Sequence, residues 1–230
     1  MTRPPLRLAI LISGRGSNMR ALIAACQGAG FPAEVAAVIS DRADAGGLAA
    51  ARAAGVPVHI VDPGAFAERD AYDAALERAI ADSGAGLVCL AGFMRVLGGA
   101  FVERWRDRLV NIHPSLLPAF RGLDAHARVL AAGARFSGCT VHFVRAEVDA
   151  GPIIVQAAVP VHAGDTPESL AARVLSQEHR IYPLAVRWIA QGRVRVAGET
   201  VEVDGAAAPA RALINPAPEH HGVSRRSRSR

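Results

Sequence analysis

The chain has 230 residues, 51% of them hydrophobic, and a formal net charge of +5; that length suits one large domain or two small ones, with a core that needs no staples. It contains no lysine, which excludes Schiff-base lysine and Walker-lysine chemistry. From Ala206 onward five arginines stand against one glutamate, so the body is near neutral, and neither a basic nucleic-acid face nor a membrane span is expected.

Met1–Pro5 leads straight into an apolar strand, Leu6–Ile12. No separate apolar stretch with a cleavage site precedes it, so no signal peptide and a cytoplasmic protein are expected. Ser13-Gly14-Arg15-Gly16-Ser17-Asn18 follows and opens a helix over Asn18–Ala29. Backbone N–H groups at a helix start, with glycines for close approach, make an anion site. A dinucleotide fingerprint needs a third glycine where Met19 stands, although Asp41 at the end of the next strand imitates its ribose acid. One terminal phosphate therefore fits better than a dinucleotide or a nucleoside triphosphate. A glycine turn that only reverses the chain explains the same spacing equally well.

Strands at Glu34–Ser40, Val56–Val61 and Leu87–Ala91 then alternate with helices at Ala43–Ala54 and Phe66–Ser83. Near-continuous apolar strands spaced by helices read as a parallel sheet covered on both faces. Cys26, Cys89 and Cys139 are widely spaced in apolar settings with no CxxC, which points to reduced thiols, and Cys89 reads as a small core residue.

Two polar islands end the next apolar runs. Arg108-Leu109-Val110 breaks into Asn111-Ile112-His113-Pro114-Ser115-Leu116-Leu117-Pro118, and Cys139–Val144 leads to Glu147-Val148-Asp149-Ala150-Gly151-Pro152. Loops at strand ends are where α/β folds place their chemistry. Asn111 and His113 are two apart, so both side chains share one face of a strand. Asp149 lies in a glycine-flanked loop that can approach them. An amide and an imidazolium stabilise charge developing on a carbonyl oxygen. A neighbouring carboxylate stabilises the imidazolium and relays protons through water. A capping asparagine and a half-buried histidine explain that spacing at least as economically. Among the other histidines, His126, His142, His162 and His179 are scattered without metal-ligand spacing, so no metal is expected. Ser115 is not in a G-x-S-x-G elbow.

A strand at Pro152–Val161 suggests an antiparallel excursion. Asp165 or Thr166 caps a helix from Glu168 to Gln191 that ends at Gly192, and Val194–Val203 reads as a hairpin. The expected division is one domain over residues 1–205 and a disordered arginine-rich tail over 206–230.

Ile12–Asn18, Leu90-Ala91-Gly92-Phe93-Met94-Arg95-Val96-Leu97, Asn111–Pro118, Thr140–Val144 and Asp149–Ile154 together resemble the phosphoribosylglycinamide formyltransferase family, in order and from about Leu6 to Gly205. The resemblance implies a Rossmann-like formyltransferase fold with an antiparallel C-terminal portion. It implies transfer of formyl from 10-formyltetrahydrofolate, a cosubstrate, to the amino group of glycinamide ribonucleotide. By the same resemblance Asn111, His113 and Asp149 are the catalytic residues, and Gly16, Ser17 and Asn18 hold the substrate phosphate. Gln177 and Glu178 contact the ribotide. Arg69, the segment Met94, Arg95, Val96 and Leu97, residue Asn111, and the loop Arg145, Ala146, Glu147, Val148 and Asp149 bind folate. Arg15 and Asp124 depart from some members, which carry asparagine and histidine there. The resemblance assigns no role to the arginine-rich tail.

Three alternatives remain at this level. A formyltetrahydrofolate deformylase uses a similar triad with water as acceptor, and normally has an extra N-terminal domain. A methionyl-tRNA formyltransferase needs a C-terminal RNA-binding domain. A nucleic-acid protein using the basic tail lacks any aromatic stacking platform. Monomer and homodimer are both compatible with the sequence.

Overall fold

The computed structural model describes residues 4–216. The first strand, β1 (Leu6–Ile12), lies inside the sheet, and Leu8, Ala9, Ile10, Leu11 and Ile12 are all 0% exposed. Burial on both faces explains why this strand is apolar without alternation. It leads through α1 (Ser17–Cys26), β2 (Ala33–Ser40), α2 (Gly47–Ala53) and β3 (Val58–Ile60) to a 3-10 turn at Pro63–Ala65. Then come α3 (Arg69–Asp82), β4 (Leu87–Leu90), α4 (Gly99–Arg104), β5 (Leu109–His113), α5 (Ala125–Ala131), β6 (Phe136–Phe143), β7 (Ile153–Pro160) and α6 (Pro167–Ala190). A separate two-stranded ribbon, β8 (Val194–Ala197) and β9 (Thr200–Val203), follows.

The seven-stranded sheet has the order β3-β2-β1-β4-β5-β6-β7. Pairs from β3 through β5 are parallel, while β5–β6 and β6–β7 are antiparallel. This is the expected mostly parallel sheet with an antiparallel C-terminal portion. The chain builds outward from β1 to β3, then returns to place β4 on the other side of β1. The crevice at that reversal, beyond the carboxyl ends of β1 and β4, is where open α/β sheets bind ligands.

The two-residue alternation of β1 divides the core into two layers. Leu8, Ile10 and Ile12 pack with Met19, Leu22, Leu48, Val174 and Tyr182 on one face. Ala9 and Leu11 pack with Tyr72, Leu76, Ile80, Phe101 and Trp105 on the other. Burying each large apolar side chain stabilises by roughly 1.5–3 kcal/mol, so both helical layers are held by β1. Tyr182 ties them further, its hydroxyl donating to the Leu90 and Val110 carbonyls at 2.9 and 3.2 Å.

Element boundaries moved where side chains compete with the helix. Helix α2 starts at Gly47 instead of Ala43, because the Ser40 hydroxyl accepts from Arg42 N and the Arg42 guanidinium pairs with Asp44. Helix α3 starts at Arg69 instead of Phe66, after the 3-10 turn whose Gly64 N–H is taken by Asp62. Of the two expected caps, Thr166 caps α6, in a reciprocal box with Ser169. Asp165 instead receives the Arg173 guanidinium at 2.7 and 2.8 Å. Helices α4 and α5 escaped the sequence reading; at six and seven residues they are too short to show a period.

Among the described residues no helix is long and apolar enough to cross a membrane. The tail is described only to Pro216; the remainder of the expected disordered segment lies outside the described residues. Its first part is irregular, and Asn215 Nδ2 donates to the Arg135 and Val161 carbonyls. Ending the chain after Gly205 is expected to leave turnover unchanged. It should lower stability by about 1 kcal/mol, the net worth of such hydrogen bonds. Thermal unfolding and initial-rate assays check this, and a lost activity would contradict it.

Candidate active site

The loop after β1 and the start of α1 form the first wall. Gly16 sits at φ 67°, a left-handed conformation that glycine adopts without strain. A Cβ there would lie 3.0 Å from Gly47 Cα, so the beginning of α2 closes against the loop. No side chain caps α1 and no acidic residue lies in its first turn. Its leading N–H groups, from Ser17 and Asn18, therefore have no capping side chain of their own, the condition in which a helix start can receive an anion. Ser13 Oγ accepts from Met94 N at 2.8 Å, and Ser13 N donates to the Gly92 carbonyl at 3.1 Å. Those bonds tie this loop to the one leaving β4.

That second loop, from Ala91 to Leu97, leaves Met94 and Val96 68% and 61% exposed while Leu97 is buried. Large exposed apolar side chains beside a cleft suit a flat, partly apolar ligand. Arg69 donates to the Val96 carbonyl, and Arg95 pairs with buried Asp41 at 3.1 Å. With Pro63, Phe66 and Tyr72 they line an open cleft of about 420 Å³.

The third wall carries the polar residues. Asn111 and His113 project from β5, and the loop after β6 brings Asp149 to both. Asp149 Oδ2 lies 3.2 Å from His113 Nδ1 and accepts from Gly122 N at 2.8 Å. Asp149 Oδ1 accepts from Asn111 Nδ2 at 3.4 Å. His113 Nε2 is 3.0 Å from the Phe120 carbonyl. Both imidazole nitrogens thus face oxygen atoms. Asp149 holds φ 52°, an uncommon conformation outside glycine that Asp tolerates better than most residues.

His142 stands opposite Asn111 in the antiparallel β5–β6 register. Its Nδ1 lies 2.9 Å from the Phe143 carbonyl, so Nδ1 carries hydrogen and Nε2 accepts from Asn111 Nδ2 at 3.3 Å. Burial pushes its pKa below the ordinary range, which keeps the ring neutral. A neutral acceptor in this place sets which way the Asn111 amide points. His142 was one of the scattered histidines in the sequence, and only the cross-strand register reveals its place.

Glu178 of α6 closes the site from below. It is 7% exposed and accepts from Asn18 Nδ2 at 2.7 Å. Burial raises its pKa, opposed by the Asn18 hydrogen bond and by the charge of His113. Glu178 thus links the loop after β1, through Asn18, to the β5 cluster, through the charge of His113.

Other expected site residues stand apart. Gln177 lies beside Glu178 but turns its amide to Ser176 and Arg180, at a cleft with Phe31 and Arg187. Arg145 pairs with Asp107 at 2.8 Å and with Glu199 at 3.3 Å; its side chain anchors the root of the Asp149 loop. Ala146 and Glu147 line a second cleft of about 390 Å³. Glu147 also pairs with Arg121, and Val148 is 49% exposed. Arg15 and Asp124 are both exposed, and Asp124 precedes α5 at φ 55°. Among the described residues no three His, Cys, Asp or Glu side chains are placed to hold a metal ion.

Comparison with known proteins places this geometry. The family described as "Formyl transferase" matches residues 6–186. Phosphoribosylglycinamide formyltransferase of Escherichia coli is 46% identical over 89% of this chain and 96% of that protein. The trifunctional purine biosynthetic protein adenosine-3 of Gallus gallus is 48% identical over 83% of this chain, which spans only 19% of that protein's length. Glycinamide ribonucleotide transformylase 1 from Symbiobacterium toebii superposes with a TM-score of 0.85 at 51% identity, covering 86% of this chain and 94% of that one. A formyltetrahydrofolate deformylase from Burkholderia mallei gives 0.78 at 28% identity, covering 88% and 70%.

Proposed function

Because the chain belongs to the formyl transferase family, we propose that it transfers the formyl group of 10-formyltetrahydrofolate to the amino group of glycinamide ribonucleotide, a step of purine biosynthesis. One observation carries the choice of acceptor. The anion loop and the Asn111–His113–Asp149 cluster are joined through Asn18 and Glu178. A phosphate at the start of α1 and a sugar on Glu178 direct the acceptor's amine toward His113. A deformylase, whose acceptor is water, has no use for those two features.

The chemistry follows from the charges that develop. The amine nitrogen attacks the formyl carbon, a C–N bond forms, and the formyl oxygen gains negative charge. As the formyl oxygen enters, His113 Nε2 exchanges the Phe120 carbonyl for it, and Asn111 Nδ2 exchanges its long contact with Asp149 Oδ1, so that both donate to that oxygen. Asp149 holds the imidazole from the other side and takes up, through water, the proton that the amine must lose. Collapse restores the carbonyl, breaks the bond to folate N10 and returns a proton to that nitrogen. The exposed side chains of Met94, Val96 and Val148 offer apolar surface to the folate ring. Arg69 and Arg95 flank the open cleft and suit the carboxylates of its tail.

Formyltetrahydrofolate consumption with and without the ribotide tests the reading. It should require the ribotide; consumption at the same rate in water alone would make the protein a deformylase. The anion loop has its own test. Gly16→Val places a β-branched residue at positive φ against Gly47, narrowing the phosphate approach. The Michaelis constant for the ribotide should rise at least about tenfold, the worth of one charge-assisted hydrogen bond, with the folate constant little changed. An equal rise for both substrates would contradict the assignment.

A further inference from the structure

Asn18 has two parts that look in different directions. Its backbone N–H belongs to the first turn of α1, at the anion site. The residue is 7% exposed, and its side chain reaches 2.7 Å to Glu178 Oε2 across 160 positions of sequence. Asparagine near a helix start commonly bonds to its own backbone; this one bonds to α6. The Asn18 Oδ1 atom is buried without a partner among the described residues. A buried amide with one end unsatisfied is costly, and the bond to Glu178 is what the arrangement secures.

We propose that Asn18 is a positioning residue, whose side-chain amide fixes Glu178 as the hydrogen-bond acceptor for the sugar hydroxyls of the ribotide. The proposal rests on the acceptor assigned above. An ionised carboxylate accepts from two neighbouring hydroxyls, whereas a protonated one turns part of that capacity into a donor. Burial alone favours the protonated form of Glu178. Two groups act on it from the elements around it. The Asn18 amide, from α1, and His113, from β5, favour the ionised form. Cys139, from β6, has a thiol pushed up to about 12 and stays neutral. Asn18 also fixes the spacing between the phosphate and sugar subsites, because one residue serves both.

The sign of the pH effect follows. Ribotide binding weakens as pH falls through the Glu178 pKa. Losing the Asn18 donor raises that pKa further, so the weakening begins at higher pH. Asn18→Leu removes the donor at similar volume, and Asn18→Ala carries the same expectation with less crowding if leucine does not fit. Steady-state kinetics are followed downward in pH from neutrality over the range in which the protein stays folded. In either variant the ribotide Michaelis constant should exceed the wild-type value, and its rise on acidification should begin at higher pH than in the wild type. The turnover number and folate constant should change little. A pH profile that superimposes on the wild-type one, or a loss confined to turnover, overturns the proposal. If the wild type consumes formyltetrahydrofolate without the ribotide, the functional reading fails first. If the wild type requires the ribotide and the profiles coincide, only the role of Asn18 fails.

Discussion

Asp149→Asn is expected to lower turnover by about 10²–10³ or more, with both Michaelis constants nearly kept. The side chain keeps its shape in this substitution, so what changes is chemistry. Asp149 accepts from Gly122 N, lies against His113 Nδ1 and accepts from Asn111 Nδ2. A carboxylate has acceptors on both oxygens; an amide has one oxygen and an NH2 group that only donates. Whichever way the introduced amide turned, a donor would face a donor. The imidazolium loses its partner and the attacking amine loses its proton acceptor. His113→Ala and Asn111→Ala should each fall in the same range or lower, by loss of one donor to the developing oxyanion. Because the three act as a unit, the double variant of His113 and Asp149 should lose far less than the product of the single losses. Steady-state kinetics on the set decide it; multiplicative losses, or near-normal turnover in Asp149→Asn, would contradict a shared mechanism.

Gly151→Ala should be nearly as damaging, though it touches no reacting atom. A Cβ on Gly151 would lie 1.8 Å from the Phe143 carbonyl oxygen and 2.8 Å from its carbon. Both are backbone atoms of β6, so the clash cannot be relieved by turning a side chain. The loop has to move instead, and it carries Asp149 two residues earlier. A displacement of about 1 Å at a catalytic group costs on the order of 10² in rate, so turnover should fall by about that much. The loop is partly exposed at Val148 and Glu147, so the fold should survive. A thermal melt near that of the wild type together with low turnover is the expected pair; unchanged turnover would show that the loop position is not critical.

What the sequence revealed depended on the range of the interaction. The parallel half of the sheet was legible because strands buried on both faces are apolar throughout, as in Leu8–Ile12, and α1 and α3 between them have length enough to show a period. The short helices α4 and α5 lack that length. Asn111 and His113 were legible as a pair because two-residue spacing on a strand is local. Their meeting with Asp149 was open to a simpler explanation from spacing alone, since it depends on the turn at Asp149 and on the close packing of Gly151 against β6. The place of His142 depended on a register between β5 and β6 that no local pattern encodes. The same limit applies to Asn18 and Glu178, 160 positions apart: each was expected at the ribotide, but their direct bond was invisible. Gln177 shows the converse, since adjacency to Glu178 in sequence turns it, on a helix, toward a different neighbour.

The most direct test of the mechanism follows the formyl carbon itself. Formyltetrahydrofolate labelled with carbon-13 in the formyl group is mixed with the protein, first alone and then with glycinamide ribonucleotide, and followed by NMR. Direct attack by the amine predicts no labelled formate and no labelled protein in the first stage, then transfer of the label into the ribotide amide in the second. Labelled formate without the ribotide, or label held covalently on the protein before the ribotide is added, would contradict it.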